Sequence, residues 1–188
     1  MNLTFSFHFQ QYVPIDVLRL LKSKREIAKL GVSKADVTTM FCDIEGFSIL
    51  TETVNPETLV TVLTEAMDLI TACIEETGGL VDKFIGDEAM AFWGPPGDTN
   101  DCPKRACLSA INIRSRLIDA QKSWESRGLP ILNCWIGIAS GNGLIGNFGS
   151  SKRFSYTAIG SPVNLASRLK VINKTFQTRV LISSTTAE

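Results

Sequence analysis

Two short runs rich in apolar residues, 80–85 and 88–93, are separated only by Gly86-Asp87, and this spacing restricts the fold more than any other feature of the chain. A two-residue link joins antiparallel neighbours, because a parallel crossover needs a dozen or more residues. The hairpin sits between two long segments of helical periodicity. In the first, opened by Asn55-Pro56 and closed by Gly78-Gly79, the residues Leu59, Leu63, Ala66, Met67, Ile70, Cys73 and Ile74 recur at helical spacing. In the second, from about Pro103 to Ser126, Ala106, Ala110, Ile113, Leu117 and Ile118 are expected to point inward, and Gly128 and Pro130 end it.

The remaining segments fit around these. A buried strand is expected over 35–42, another over 131–139, a strand-like stretch from Gly141-Asn142-Gly143 to Phe148, an extended segment over 153–159 and a last strand over 179–182 with a cap at Ser183 or Ser184. Ser161 and Pro162 supply an N-cap and a first-turn proline for a helix over 163–172, and Pro14 opens a short lead-in helix. Hairpins alternating with helices predict an α+β sandwich, its antiparallel or mixed sheet covered by helices, rather than a doubly wound parallel sheet. A lead-in segment over 1–33 and one domain over 34–188 are expected.

Composition excludes several classes. The 188 residues carry 19 Lys+Arg against 19 Asp+Glu, so no basic excess points to a nucleic-acid partner. Cys42, Cys73, Cys102, Cys107 and Cys134 contain no Cys-x-x-Cys pair and His8 is the single histidine, which argues against a zinc site or a histidine triad. Thiols scattered through apolar stretches suit the reducing cytoplasm. No apolar run approaches the roughly 18 residues of a membrane span, so no membrane contact is expected from this segment. Gly141 to Gly146 spells G-x-G-x-x-G, but Asn147, Phe148 and a polar turn follow where a dinucleotide site needs a helix.

Two carboxylates stand at strand ends rather than on charged helix faces: Asp43 after Cys42, and Asp87 in the hairpin turn. Singly, one reads as a turn cap and the other as a hairpin residue. If the hairpin pairs beside the first strand they converge, and paired carboxylates suit Mg²⁺ completed by substrate phosphates. Asn164 and Arg168, at i and i+4, share a helix face. An amide can orient a sugar and a guanidinium can neutralise transition-state charge in phosphoryl chemistry.

Four ordered blocks carry a resemblance. Phe41-Cys42-Asp43-Ile44-Glu45-Gly46-Phe47-Ser48, Gly78-Gly79 with Lys83-Phe84-Ile85-Gly86-Asp87, Gly137-Ile138-Ala139-Ser140-Gly141, and Tyr156-Thr157-Ala158-Ile159-Gly160 with Val163-Asn164-Leu165-Ala166-Ser167-Arg168 resemble the class III nucleotidyl cyclase catalytic domain from about residue 35 to the C-terminus. The resemblance implies a ferredoxin-like-derived sandwich and a reaction converting ATP to 3′,5′-cyclic AMP and pyrophosphate. It implies two Mg²⁺ or Mn²⁺ ions on Asp43, Asp87 and the Ile44 carbonyl, with the amides of Gly46, Phe47 and Ser48 near the phosphates. Asn164 matches the ribose-orienting asparagine and Arg168 the transition-state arginine, while Arg153 is a candidate phosphate contact.

Lys83 and Thr157 match the two base-selecting positions, in the subgroup of adenylyl cyclases with threonine at the second. Lysine can donate to adenine N1, whereas guanine presents a donor there; a threonine hydroxyl can accept from the adenine amino group but can also donate. A guanylyl or mixed-specificity cyclase and a catalytically silent nucleotide-binding dimerisation module are the alternatives. The family's sites lie across a dimer, metal aspartates from one protomer and Asn164 and Arg168 equivalents from the other, so a homodimer with shared sites is implied. Any fused sensor or regulatory domain is expected outside the segment. Ser161 and Ser48 depart from a usual aspartate and a common threonine, and the chain ends before the expected final strands.

Overall fold

The sheet is organised by its central strand. In the computed structural model, which describes residues 30–95 and 99–188, β1 (Gly31–Ile44) is flanked on both sides. It is followed by α1 (Phe47–Thr53), α2 (Pro56–Glu76), β2 (Leu80–Ile85), β3 (Glu88–Trp93), α3 (Cys102–Ser126), β4 (Cys134–Gly149), β5 (Phe154–Ile159), α4 (Ser161–Phe176), β6 (Val180–Ile182) and α5 (Ser184–Ala187). The strand order is β2-β3-β1-β4-β5, all antiparallel neighbours, with β6 parallel to β4. This is the expected α+β architecture with a mixed sheet. The lead-in helix expected after Pro14 lies outside the described residues.

Local chemistry sets the elements. The Asn55 side chain accepts from the Thr58 amide at 2.9 Å and Pro56 follows in the first turn, so α2 starts where the sequence places it. Gly86 takes a positive φ in the two-residue link and closes the β2–β3 hairpin. The alternation of β1 then separates two cores. Met40, Cys42 and Ile44 join Ala89, Ala91, Trp93, Ile136 and Ile138 beneath α2 and α3, while Phe41 packs with Met90, Ala139 and Ala166 on the α4 side.

Four expectations need correction. The segments on either side of Gly141-Asn142-Gly143 form one strand, β4, because Gly146 lets the backbones touch: a Cβ there would stand 2.2 Å from the Gly31 carbonyl oxygen. Gly160, not Ser161, occupies the N-cap position of α4, and Ser161 is already helical. Ile118, expected inward, is 51% exposed, one residue past the stripe that buries Ala106, Ala110, Ile113 and Leu117. Helix α1 is absent from the expected elements; its sequence carries no capping side chain, and it starts from the left-handed Gly46.

α4 lies directly on the backbone of β4. A Cβ on Gly137 would sit 2.1 Å from the Ala166 carbonyl oxygen and 2.4 Å from the Lys170 amide nitrogen. The buried Asn173 amide donates to the Ile136 carbonyl at 2.9 Å and fixes the helix along the strand. Gly137→Ala is therefore expected to push α4 outward and destabilise the fold by about 1–3 kcal/mol, the usual range for overpacking. A urea denaturation midpoint unchanged by the substitution would contradict this packing.

Candidate active site

Three carboxylates meet at one end of the β1–β3 pair. Asp43 is paired in register with Glu88, and Asp87 immediately precedes Glu88 in the hairpin. The convergence expected of Asp43 and Asp87 is present: the two carboxyl groups lie close enough for Asp43 to oppose ionisation of Asp87. Burial pushes the Asp87 carboxyl above its usual range, and the adjoining Asp43 pushes it the same way, against the relief given by its own backbone amide and by Lys170.

Lys170, from α4, joins them, although no sequence motif marks it. Its ammonium lies 3.1 Å from Asp43 Oδ2 and 3.0 Å from Glu88 Oε1, with only 12% of the side chain exposed. Burial opposes the ammonium, but the Glu88 and Asp43 carboxylates outweigh it and hold its pKa above that of an ordinary lysine. In sequence it is one more lysine on an amphipathic helix. Only the close approach of α4 to β4 aims it at the carboxylates.

No group of three or more His, Cys, Asp or Glu side chains forms a metal cluster among the described residues. The pair Asp43 and Asp87 offers oxygen donors alone, which fits a hard divalent cation whose remaining positions are filled by phosphates and water. The Ile44 side chain is buried in the core, so any part it takes in the site falls to its backbone. The Phe47 ring packs against the same core, and the first amides of α1, at Phe47 and Ser48 beyond the left-handed Gly46, are those a helix leaves without internal acceptors.

A second group of polar residues gathers where the two edges of the sheet meet. Leu80 and Phe92 pack with Val37, Ile145 and Ala158, so the sheet curls until β2 and β5 touch. There Lys83 Nζ donates to Thr157 Oγ1 at 3.2 Å, bringing the two base-selecting candidates together. Asp82, which no sequence motif singles out, lies beneath both. Its side chain is fully buried, accepts a hydrogen bond from the Thr157 hydroxyl and is 3.2 Å from Lys83 Nζ. Burial pushes its carboxyl up, opposed by the bonds from Thr157 and Lys83.

Asn164 and Arg168 are exposed on α4. Lys170 lies about 200° around the helix from Arg168, so the residues that share α4 serve opposite sides of it. The chain thus brings Asp43 to Asp87 and Lys83 to Thr157, while Asn164 and Arg168 face away from their own carboxylates. Arg153 lies in the β4–β5 turn, where its amide bonds to the Ser150 carbonyl at 3.3 Å. That turn is at the Gly31 end of β1, the end opposite Asp43. Large apolar side chains are exposed on three elements: Phe84 and Ile85 on β2, Val171 and Phe176 on α4 and Ile49 on α1.

Comparison with known proteins adds to this geometry. Residues 32–188 match the family described as the adenylate and guanylate cyclase catalytic domain. The chain is 33% identical over 177 residues to adenylate cyclase 1 of Rhizobium meliloti, covering 94% of this chain and 27% of that protein. It is 30% identical to the adenylate cyclase of Anabaena cylindrica, covering 93% of this chain and 35% of the relative. The chain therefore spans about a third or less of these relatives.

Among solved structures, a bacterial light-regulated adenylyl cyclase superimposes with a TM-score of 0.88 at 26% identity, over 98% of this chain and 52% of the other. The adenylyl cyclase CyaB from P. aeruginosa gives 0.76 at 32%, over 84% and 81%. The guanylyl cyclase Cya2 gives 0.75 at 31%, over 84% and 79%.

The electrostatics of the carboxylate end predict a trade of stability for chemistry. With its pKa raised in the folded chain, Asp87 costs stability as pH rises from the usual carboxylate range through the raised value, and the cost vanishes below that window. Asp87→Asn should raise the stability measured by urea denaturation at neutral pH, by less than about 1 kcal/mol because the group is partly solvated. The gain should shrink in acid, where Asp87 is itself neutral. A gain that is the same at both pH values, or a loss, would contradict this.

Proposed function

The chain belongs to the adenylate and guanylate cyclase catalytic domain family, and on that premise we propose that it is an adenylyl cyclase unit converting ATP to 3′,5′-cyclic AMP and pyrophosphate. The observation that carries the choice of ATP is the contact of Lys83 with Thr157 at the curled edge of the sheet. An ammonium offers only donors, which match adenine N1 and oppose the N1–H of guanine. The adenylate cyclase relatives support the same choice, while the similarity to a guanylyl cyclase shows that the fold alone does not decide it.

In this reading Asp43, Asp87 and the Ile44 carbonyl hold two divalent ions, Mg²⁺ or Mn²⁺. Such ions supply charge neutralisation of the triphosphate and a more acidic ribose 3′-hydroxyl. The amides of Gly46, Phe47 and Ser48 bind phosphate oxygens, as open helix-start amides do. Asn164 orients the ribose. Arg168 neutralises charge that develops as the 3′-oxygen bonds to the α-phosphorus and the bond to the β-phosphate oxygen breaks. Arg153, at the end of the sheet away from its own Asp43, would reach phosphate only in a site completed by the partner copy.

The outward face of α4 suits a site completed by a second copy of the chain. Asp43 and Asp87 of one protomer and Lys83, Thr157, Asn164 and Arg168 of the other would complete each site, giving a symmetric homodimer with two equivalent sites. The exposed Phe84, Ile85, Val171 and Phe176 supply apolar area for that interface. Among the described residues no helix is long and apolar enough to cross a membrane. The proposed setting is the cytoplasm, where the nucleotide substrate and divalent ions are at hand, with any sensor or regulatory domain outside residues 34–188.

Product identification tests the assignment. Incubated with Mg²⁺ or Mn²⁺ and each nucleoside triphosphate in turn, the protein should make cyclic AMP faster than cyclic GMP. Lys83→Glu should lower ATP use and raise relative GTP use. Preferential cyclic GMP formation, or an unaltered ratio in Lys83→Glu, would overturn the substrate choice. Asp43→Ala and Asp87→Ala should each reduce turnover by at least about a hundredfold, the scale of losing a charge-stabilising group, with the fold retained. Full turnover in either variant at saturating metal would refute the metal assignment.

A further inference from the structure

Asp82 is a fully buried carboxylate that the proposed mechanism leaves unused. It owes its position to an irregularity in the β2–β3 ladder. Val81 pairs with Ala91 and Lys83 with Met90, so Asp82 is the extra residue of a β-bulge. Bulges re-aim neighbouring side chains. This one places Asp82 beneath Lys83 and across the sheet edge from β5.

The hydrogen-bond inventory at this corner is specific. The carboxylate accepts from the Thr157 hydroxyl through Oδ2, its Oδ1 is 3.2 Å from Lys83 Nζ, and the Ala158 carbonyl stands as a more distant acceptor 3.4 Å from the same hydroxyl. A threonine hydroxyl has one hydrogen and two lone pairs. The closer, charged acceptor takes the hydrogen, which goes to Asp82 rather than to the Ala158 carbonyl at 3.4 Å, and one lone pair accepts from Lys83 Nζ at 3.2 Å. What remains for a ligand is a single acceptor position. The Lys83 ammonium, hydrogen-bonded to Thr157 and ion-paired with Asp82, sits on a side chain that is 41% exposed and keeps a donor for the ligand.

We infer that Asp82 is a positioning residue for base selection: by taking the Thr157 hydroxyl hydrogen it fixes Thr157 Oγ1 as an acceptor, which suits an exocyclic amino group such as that of adenine and rejects the O6 carbonyl of guanine. The inference rests on the reading of Lys83 and Thr157 as the base-selecting pair. Adenine presents its N6 amino donor where guanine presents the O6 acceptor, so the direction of this one hydroxyl discriminates between them. With Asp82 removed, the hydroxyl turns freely and can donate to O6.

The test compares kcat/KM for ATP and GTP in wild type, Asp82→Asn, Thr157→Val and the double variant. The carboxamide introduced by Asp82→Asn can point its NH2 group at Thr157 Oγ1 and drive the hydroxyl hydrogen outward. The ATP:GTP ratio should fall roughly three- to tenfold in Asp82→Asn, the span of one hydrogen bond. It should fall no further when Asp82→Asn is added to Thr157→Val, because no hydroxyl is left to orient. If Asp82→Asn does not fold, Asp82→Ala, which removes the buried charge outright, carries the same comparison.

An unchanged ratio in the folded variant overturns the inference. So does an equal additional fall in the Thr157→Val background, which marks a merely structural role. Where wild type prefers ATP and Lys83→Glu shifts that preference, a flat Asp82 series removes this inference and leaves the adenylyl cyclase reading standing. Where wild type shows no preference for ATP, both fall.

Discussion

The seating of α4 against the bare backbone of Gly137 is the constraint on which the rest of the site depends. With a Cβ position only 2.1 Å from the Ala166 carbonyl oxygen, the helix cannot lie there if β4 carries a side chain at that point. The approach gives α4 two distinct faces. One delivers the Lys170 ammonium to Asp43 and Glu88; the other presents Asn164 and Arg168 to the exterior. A helix further from the sheet would not let a side chain of lysine length reach the carboxylates.

Charge and curvature follow from the same packing. Asp43 and Glu88 share the Lys170 ammonium and Asp87 adjoins Asp43, an excess of negative charge that partial burial makes costly. At the opposite edge, the curl of the sheet joins β2 to β5 through Asp82, Lys83 and Thr157. The metal-type donors and the base-type donors are thus separate constructions on one sheet. α4 keeps the residues suited to ribose and phosphate away from their own carboxylates. That geometry supports a site completed by a second copy of the chain.

Much of this was legible in the sequence because local rules govern it. The two-residue link at Gly86-Asp87 forces a hairpin, and the hairpin places Asp87 beside Asp43 once β3 pairs with β1. Asn55-Pro56 and Gly78 bracket α2 through capping chemistry. What escaped depends on tertiary contact. Lys170 is recognisable only when the depth of α4 is known, and Asp82 only when the bulge is seen, since regular alternation does not put it beside its neighbour Lys83. The glycines of 141–146 resemble a break because their strand-pairing role depends on how closely β1 approaches. Ile118 misleads because an apolar residue next to a buried stripe need not belong to it.

Whether each site is divided between two copies by the opposite faces of α4 is decided by mixing two variants, each expected to be inactive alone. Asp43→Ala lacks a carboxylate proposed to hold metal and Arg168→Ala lacks the guanidinium proposed to act on the transition state. In a heterodimer both lesions fall in one site and leave the other intact. An equimolar mixture that exchanges subunits should recover up to about a quarter of wild-type specific activity, since half the dimers are mixed and each has one working site. If subunit exchange is demonstrated and the mixture remains as inactive as its components, the shared-site account is wrong.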